Sequence, residues 1–341
     1  MEAAPQNANE DTSPPFHILA LSGGGFRGLY TATILALLED KLGEPLGRRF
    51  DLICGTSVGG IIALALALEI PMATVRDLFL KKGPHIFQPR KSILSALRQL
   101  AFAKHGQGNL RAALTEVFEQ RTLGEALHPV IIPAVNYTKG LPQVFKTSHH
   151  ENFERDWKLN VVDIALATSA APTFLPMAEI AGRGVYVDGG LYANAPGFLG
   201  VHEARIFMCV PDKTVRLLAI GTMSSERTLG GDASHNLGIL GWAPNLLELM
   251  ISSQEGLTNY MLRQELSGRY YHIDTKPSLE QDKDLALDLA SPAAIKTLTY
   301  RADSRYQEVI GDKEFAPFLI HQAAPARFWH GPNANVPRTS A

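Results

Sequence analysis

The chain has 341 residues, 45% of them hydrophobic and 19% charged, with a formal net charge of −2. That length supplies one large core or two modest ones. The near-neutral balance argues against a polyanionic partner held by bulk charge, so neither DNA nor RNA is expected.

Residues 1–15 are polar, acidic and proline-bearing, without the basic and apolar regions of a signal peptide, and are expected to form a disordered tail. Order begins at Phe16. FHILALS reads as a buried strand and is followed by the turn GGGFRG. LYTATILALLEDKLG then reads as a helix closed by Gly43. FDLICGTS is a second strand, and VGGIIALALALEI is a helix apolar nearly all round, hence buried. This β-α-β-α opening predicts a parallel sheet with helices on its faces. The longest apolar run, Ile61 to Leu68, is too short to span a bilayer. The expected location is the cytoplasm, with any membrane contact peripheral. Cys54 and Cys209 both lie in apolar strand-like runs without metal-like spacing, and read as buried reduced thiols of a reducing compartment.

Residues 78 to 115 carry Lys81, Lys82, Arg90, Lys91, Arg98, Lys104 and Arg111, and no acidic residue. Within them SILSALRQLAFA spaces its apolar residues as a helix does. Such a segment suits a lid or a contact with an anionic membrane, and equally a surface helix packed on the core. Further on, HPVIIPAVNY, QVFKTS, GVYVDGG, RIFMCV, VRLLAIGT and RYYHID read as strands. VVDIALATSAAPTF, residues 243–266 and residues 291–307 read as helices. There is no internal repeat. The expected architecture is a three-layer α/β/α fold around a mostly parallel sheet. Residues 16–320 form one domain, its motifs within 16–200 and an extension over 201–320, and 321–341 form an irregular tail.

Three signals carry chemistry. Gly55-Thr56-Ser57-Val58-Gly59 is a G-x-S-x-G between a strand and a helix, the setting of a nucleophile elbow. The glycines permit the sharp turn, and the helix start offers N–H groups to a developing oxyanion. Alone, this motif is common. The second signal is the loop Ser22-Gly23-Gly24-Gly25-Phe26-Arg27-Gly28. Gly23, Gly25 and Gly28 match a dinucleotide fingerprint, but the acid expected at the end of the next strand is replaced by Gly55-Thr56-Ser57. The other reading is a set of oxyanion donors facing the same crevice as Ser57. Arg27 then orients the loop, binds an anionic head group or forms a salt bridge. The third signal is Asp188-Gly189-Gly190, after the strand GVYV. An aspartate there can serve as the base a serine needs, although Asp-Gly is also an ordinary turn pair.

SGGGFRG, GTSVGG and VDGG in this order, with ATSAAPTFLP at residues 167–176 between them, resemble the patatin-like phospholipase family. The resemblance covers about residues 16 to 200. It implies a patatin-like fold, a Ser57–Asp188 dyad for acyl transfer, oxyanion donors at Gly23, Gly24 and Gly25, and glycerophospholipid esters as substrates. Ser22 stands where some members have aspartate. Backbone N–H groups would form the hole regardless. Residues 201–320 are similar to the larger bacterial members, among them antiphage effectors that act on the inner membrane. That similarity implies activation by a cyclic oligonucleotide, a cyclic dinucleotide above all, and no other cofactor.

Two rivals remain. An α/β-hydrolase would need a histidine, and His202, His235, His272, His321 and His330 follow Asp188. However, the elbow comes after only one earlier strand, and no glycine-rich loop singles out any of the five. His149-His150 lacks partners at metal spacing, so no metal is expected. A lipid-binding module with a vestigial site is the non-catalytic alternative, against which the intact motifs argue.

Overall fold

The computed structural model describes residues 13–87, 103–224, 236 and 246–337. Strand β1 (Phe16–Leu21) turns through a short 3-10 segment (Gly25–Arg27) into helix α1 (Gly28–Leu42). Strand β2 (Leu52–Gly55) turns directly into α2 (Val58–Ala67). Next come α3 (Met72–Ile86), α4 (Gln107–Phe118), the hairpin β3 (Val130–Asn136) and β4 (Leu141–Lys146), and α5 (Val161–Thr168). They are followed by β5 (Ala178–Ile180), β6 (Gly184–Asp188), α6 (Gly190–Ala193), α7 (Gly197–Ile206) and β7 (Val215–Ile220). The rest comprises α8 (Leu246–Leu266), β8 (Tyr270–Ile273), α9 (Leu279–Asp282), α10 (Pro292–Val309) and α11 (Ala316–Ile320).

The strands form one mixed sheet. Its parallel part runs β3-β2-β1-β7-β8, and β4, β5 and β6 join antiparallel beside β3. Side chains of a strand alternate between faces, and β1 shows why both faces are covered. Leu19 and Leu21 join the larger core, under α1, α2, α5 and α10. Ile18 and Ala20 join the smaller one, beneath α7 and the end of α8. A strand buried on both faces reads as the unbroken apolar run seen in the sequence.

The pairing of β3 positions the site. β4 occupies one edge of β3 along its whole length from Ile131 to Asn136. The opposite edge is shared. β2 reaches Ile131 through Cys54, running parallel, and β6 comes down antiparallel to place Asp188 against Ala134. The carboxyl ends of β2 and β6 therefore face each other across three residues of β3, about 10 Å at ~3.3 Å per residue.

Two expectations change, the strand over RIFMCV and the burial of Cys209. Residues 205–210 do not form a strand: α7 runs to Ile206, and the chain then turns with Cys209 at φ 55°. Gly197, Gly200, Val201 and Ala204 take the buried side at helical spacing, and that period overrides the short apolar run. Cys209 is consequently exposed, whereas Cys54 is buried. The residues from 321 to 337 have no helix or strand but are packed against the body. His321 Nε2 lies 2.7 Å from Asp51 Oδ2, the Trp329 N–H donates to the Ser148 carbonyl at 2.8 Å, and Phe328 is buried. Among the described residues, no helix is long and apolar enough to cross a membrane.

α10 covers α1 through Ala294, Leu298 and Ala302, all fully buried. Leu298→Ala should lower stability by about 2–5 kcal/mol, since the cavity beneath a rigid helix pair cannot collapse. A shift of the urea midpoint with unchanged slope would show this.

Candidate active site

Ser57 sits between β2 and α2 at φ 54°, ψ −125°, a backbone state unfavourable for a non-glycine residue. Its neighbours over-determine that state. The Ser57 N–H donates to Thr168 Oγ1 at 3.0 Å, and the Thr168 hydroxyl donates to the Pro133 carbonyl at 2.6 Å. The Ser57 carbonyl accepts from the N–H groups of Gly60 and Ile61 at 2.9 and 3.1 Å. The Thr56 hydroxyl donates to the Ala193 carbonyl at 2.5 Å. Space matters as much as angle. A Cβ at Gly59 would lie 2.3 Å from the Leu21 carbonyl oxygen, and one at Gly55 would lie 2.2 Å from that of Gly59. Gly28 likewise leaves room for the Val58 side chain, so α1 and α2 start side by side.

The structure brings Asp188 to this serine: Ser57 Oγ donates to Asp188 Oδ2 at 2.7 Å. The other carboxylate oxygen, Oδ1, accepts from the Gly190 N–H at 2.7 Å. Gly189 permits the approach, because a Cβ there would lie 2.3 Å from the Pro133 carbonyl oxygen. Both side chains are buried, Ser57 at 8% and Asp188 at 5% exposure. Burial pushes the Asp188 carboxyl from 3.8 up to about 6, with the Gly190 N–H and the Ser57 hydroxyl pulling the other way. Among the described residues no histidine bonds to either group. His321 is tied to Asp51, and His330 to the Glu151 carbonyl. His202 lies on the surface, and His272 is half-buried on β8 with its pKa lowered by desolvation to about 4. His235 lies outside the described residues.

The glycine loop adjoins the pair, and an added Cβ at Gly23 would stand 3.1 Å from Ser57 Cβ. The Gly23 N–H, however, donates to the Asn194 carbonyl at 3.0 Å. That commitment removes Gly23 from the three expected donors and leaves Gly24 and Gly25, which line the cleft beside Ser57. Gly25 has φ 57° and sits against the Leu287 carbonyl, a position open only to glycine. Arg27 is buried, with its charge acting on the Glu255 and Asp274 carboxyls.

Ser57 and Asp188 open into a cleft with apolar walls. Phe79 and Ile86 come from α3, Leu110 and Leu114 from α4, Leu175 from the turn before β5, and Ile251 from α8. The ends of the basic segment thus form the wall of the cleft. Lys81 pairs with Asp77 at 3.0 Å, Lys82 with Glu116 at 2.8 Å, and Arg111 with Asp163 at 2.9 Å. Lys104 pairs with Asp288. Arg90, Lys91 and Arg98, with the amphipathic run around them, lie outside the described residues. Among those described, no group of three or more metal-ligating side chains gathers anywhere. Sequence reading missed Thr168, Asn194 and Thr222, which hold the elbow and the glycine loop. Thr168 and Asn194 lie in or beside quoted motifs, and Thr222 follows β7 at the carboxyl edge of the sheet, where such residues collect.

The raised Asp188 pKa is also a stability statement. Below pH 3.8 the carboxyl is protonated folded and unfolded alike. Between 3.8 and about 6 the folded chain keeps a proton that the unfolded chain has released, so stability falls as pH rises through this window. Above it the full penalty stands, at most ~3 kcal/mol for a shift of this size. Asp188→Asn should therefore raise the melting temperature relative to the parent at pH 8 and leave it nearly unchanged at pH 4. Thermal unfolding at the two pH values checks this.

A family model described as patatin-like phospholipase matches residues 19–197. A cGAMP-activated phospholipase of Pseudomonas aeruginosa is 48% identical over 329 residues, covering 96% of this chain and 98% of that protein. A Vibrio cholerae protein of the same name is 33% identical over 340 residues, covering 91% and 95%. A cUMP-AMP-activated phospholipase of Escherichia coli is 30% identical over 214 residues, covering 60% and 63%. The family match spans more than half the chain and encloses the elbow, the glycine loop and Asp188. The chain belongs to the patatin-like phospholipase family.

Proposed function

We propose that the protein hydrolyses fatty-acyl esters of membrane glycerophospholipids with a Ser57–Asp188 dyad, as an antiphage effector switched on by a cyclic dinucleotide. The observation that carries the catalytic part is the 2.7 Å contact from Ser57 Oγ to Asp188 Oδ2 at the base of an apolar cleft. Asp188 Oδ2 takes the hydroxyl proton as Ser57 Oγ attacks the ester carbonyl carbon. The carbonyl oxygen becomes an oxyanion held by the N–H groups of Gly24 and Gly25 and by the start of α2. When the intermediate collapses, the ester C–O bond breaks, and the leaving alcohol takes the proton from Asp188. Water then attacks the acyl-serine while Asp188 accepts its proton. Release of the fatty acid returns that proton to Ser57 Oγ.

The walls of the cleft suit a fatty-acyl chain, and a carboxyl with a pKa of about 6 is ionised and ready as a base at neutral pH. Activation rests on the full-length relatives named for cGAMP. The 48% relative makes cyclic GMP-AMP the expected activator, ahead of cyclic UMP-AMP. The enzyme then works in the cytoplasm, from the surface of the inner membrane.

Ser57→Ala and Asp188→Asn should each lower phospholipid hydrolysis by about a thousandfold while folding normally. In the parent, kcat/KM should fall below pH about 6, as Asp188 gains a proton and stops acting as base. Substituting His202, His272 or His330 should leave activity within a few-fold. Fatty-acid release from phospholipid vesicles, measured with and without each cyclic dinucleotide, tests both parts. Activity surviving in Ser57→Ala would end the dyad reading, and parent activity indifferent to both nucleotides would end the proposed control.

A further inference from the structure

Asp188 and Ser57 account for the proton and the nucleophile but not for how the glycine loop presents its donors. A loop of consecutive glycines has the widest backbone freedom of any sequence, and a hydrogen-bond donor aids catalysis only when aimed in advance. Something must fix the peptide planes.

A trans peptide is planar, with its C=O and N–H pointing in opposite directions. No cis peptide occurs among the described residues. Whatever holds the carbonyl of one residue therefore aims the N–H of the next. The Gly23 carbonyl is held twice: the Thr222 hydroxyl donates to it at 3.0 Å, and Asn194 Nδ2 at 3.4 Å. The Gly24 N–H in the same plane must point away from both, and Gly24 lines the cleft beside Ser57. The next plane repeats the device, because the Gly24 carbonyl accepts from the Arg27 N–H at 3.2 Å and so turns the Gly25 N–H outward. On the amino side, the Gly23 N–H donates to the Asn194 carbonyl at 3.0 Å. Asn194 thus grips Gly23 from both ends.

Thr222 is itself firmly placed. It is fully buried, and it lies just past β7, the strand hydrogen-bonded to β1. The following residue, Met223, has φ 58°, and its N–H donates to Asp274 Oδ1 at 2.9 Å. That oxygen also accepts from the Thr275 N–H at 2.9 Å, joining the exits of β7 and β8. Gly221, the residue before Thr222, accepts through its carbonyl from the Thr31 hydroxyl of α1 at 2.8 Å. An added Cβ on Gly24 would stand 2.1 Å from Thr222 Oγ1, so the hydroxyl presses directly on the loop.

We propose that Thr222 is a positioning residue for acyl transfer: its hydroxyl, together with Asn194, locks the Gly23 carbonyl and so aims the Gly24 N–H at the oxyanion formed on attack by Ser57. The inference rests on the acyl-transfer reading above. Its signature is specific. Thr222 stands behind the loop and outside the lining of the cleft, and it bonds to neither Ser57 nor Asp188, so loss of its hydroxyl lowers kcat and leaves KM and the acid limb of the pH profile in place.

The test uses the full-length protein, with cyclic GMP-AMP present throughout, on phospholipid vesicles. Thr222→Val keeps the branched shape and removes the donor. Thr222→Ser keeps the donor. Loss of a whole oxyanion donor costs roughly 10²–10³ in kcat, and loosening one that is still present should cost about tenfold to a hundredfold. Thr222→Val should show that loss with KM within about twofold, and Thr222→Ser should stay within about threefold of the parent. Inhibition by a long-chain trifluoromethyl ketone, which forms an oxyanion on the serine, should weaken in Thr222→Val by about the factor lost in kcat/KM. Thr222→Ala replaces it if the valine variant melts below the parent. A hydroxyl-free variant with parental kcat and inhibition overturns the proposal, as does a serine variant as impaired as the valine one. Ser57→Ala run in parallel separates the two ideas. Its retained activity would sink the dyad itself, whereas its inactivity beside an unimpaired Thr222→Val sinks only the clamp.

Discussion

A carboxylate is held away from water against a serine hydroxyl, and most of the fold can be read as what makes that contact possible. Here β3 gives up one edge to two strands arriving from opposite ends. β2 stops at Gly55 and β6 stops at Asp188, so their ends converge over the same short stretch of β3. Thr168, on the helix packed behind, closes the gap by holding the Ser57 N–H and the Pro133 carbonyl of β3 together.

Under the proposed dyad, this arrangement explains how a two-residue site could dispense with histidine. In a triad, imidazole supplies a base whose pKa already lies near neutrality, and the aspartate serves to orient it. An ordinary aspartate is a weaker base by two to three pKa units. Burial of Asp188 recovers most of that difference, and only two donors, Gly190 N–H and Ser57 Oγ–H, offset the desolvation. More donors would stabilise the carboxylate and the fold while weakening the base. The sparse hydrogen bonding of Asp188 thus trades stability for reactivity, as the strained φ of Ser57 does.

Much of this was legible in the sequence, and the exceptions have physical causes. The elbow, the glycine loop and the Asp-Gly-Gly turn are local devices that need particular residues at fixed spacing, so the three segments that the structure brings together stand out in chain order. The buried strands β1 and β2 were equally plain, because covering both faces leaves an unbroken apolar run. What failed was what depends on distant partners. Gly23 resembled its neighbours until Asn194, far along the chain, took its N–H. The stretch around Cys209 was apolar enough for a strand, but the helical spacing of Gly200, Val201 and Ala204 decided it. The basic residues of α3 and α4 read as a charged face because their partners Glu116 and Asp163 lie outside the segment. Thr222 carried no motif, only a position at the carboxyl end of a strand beside β1.

The cleft links substrate choice to the chemistry. The apolar walls that accommodate an acyl chain also deny Asp188 the water that would lower its pKa. A bound chain displaces further water, and electrostatic interactions strengthen in the drier site. In the proposed mechanism the carboxylate would then be a stronger base, and the N–H groups of Gly24 and Gly25 would act on the oxyanion at lower effective dielectric. A short ester leaves the cleft wet and forgoes both effects, although it meets the same serine and the same donors. On the proposed function, a preference for long acyl chains would belong in kcat as well as in KM, because binding energy remote from the ester would be used to dry the site where the charge moves.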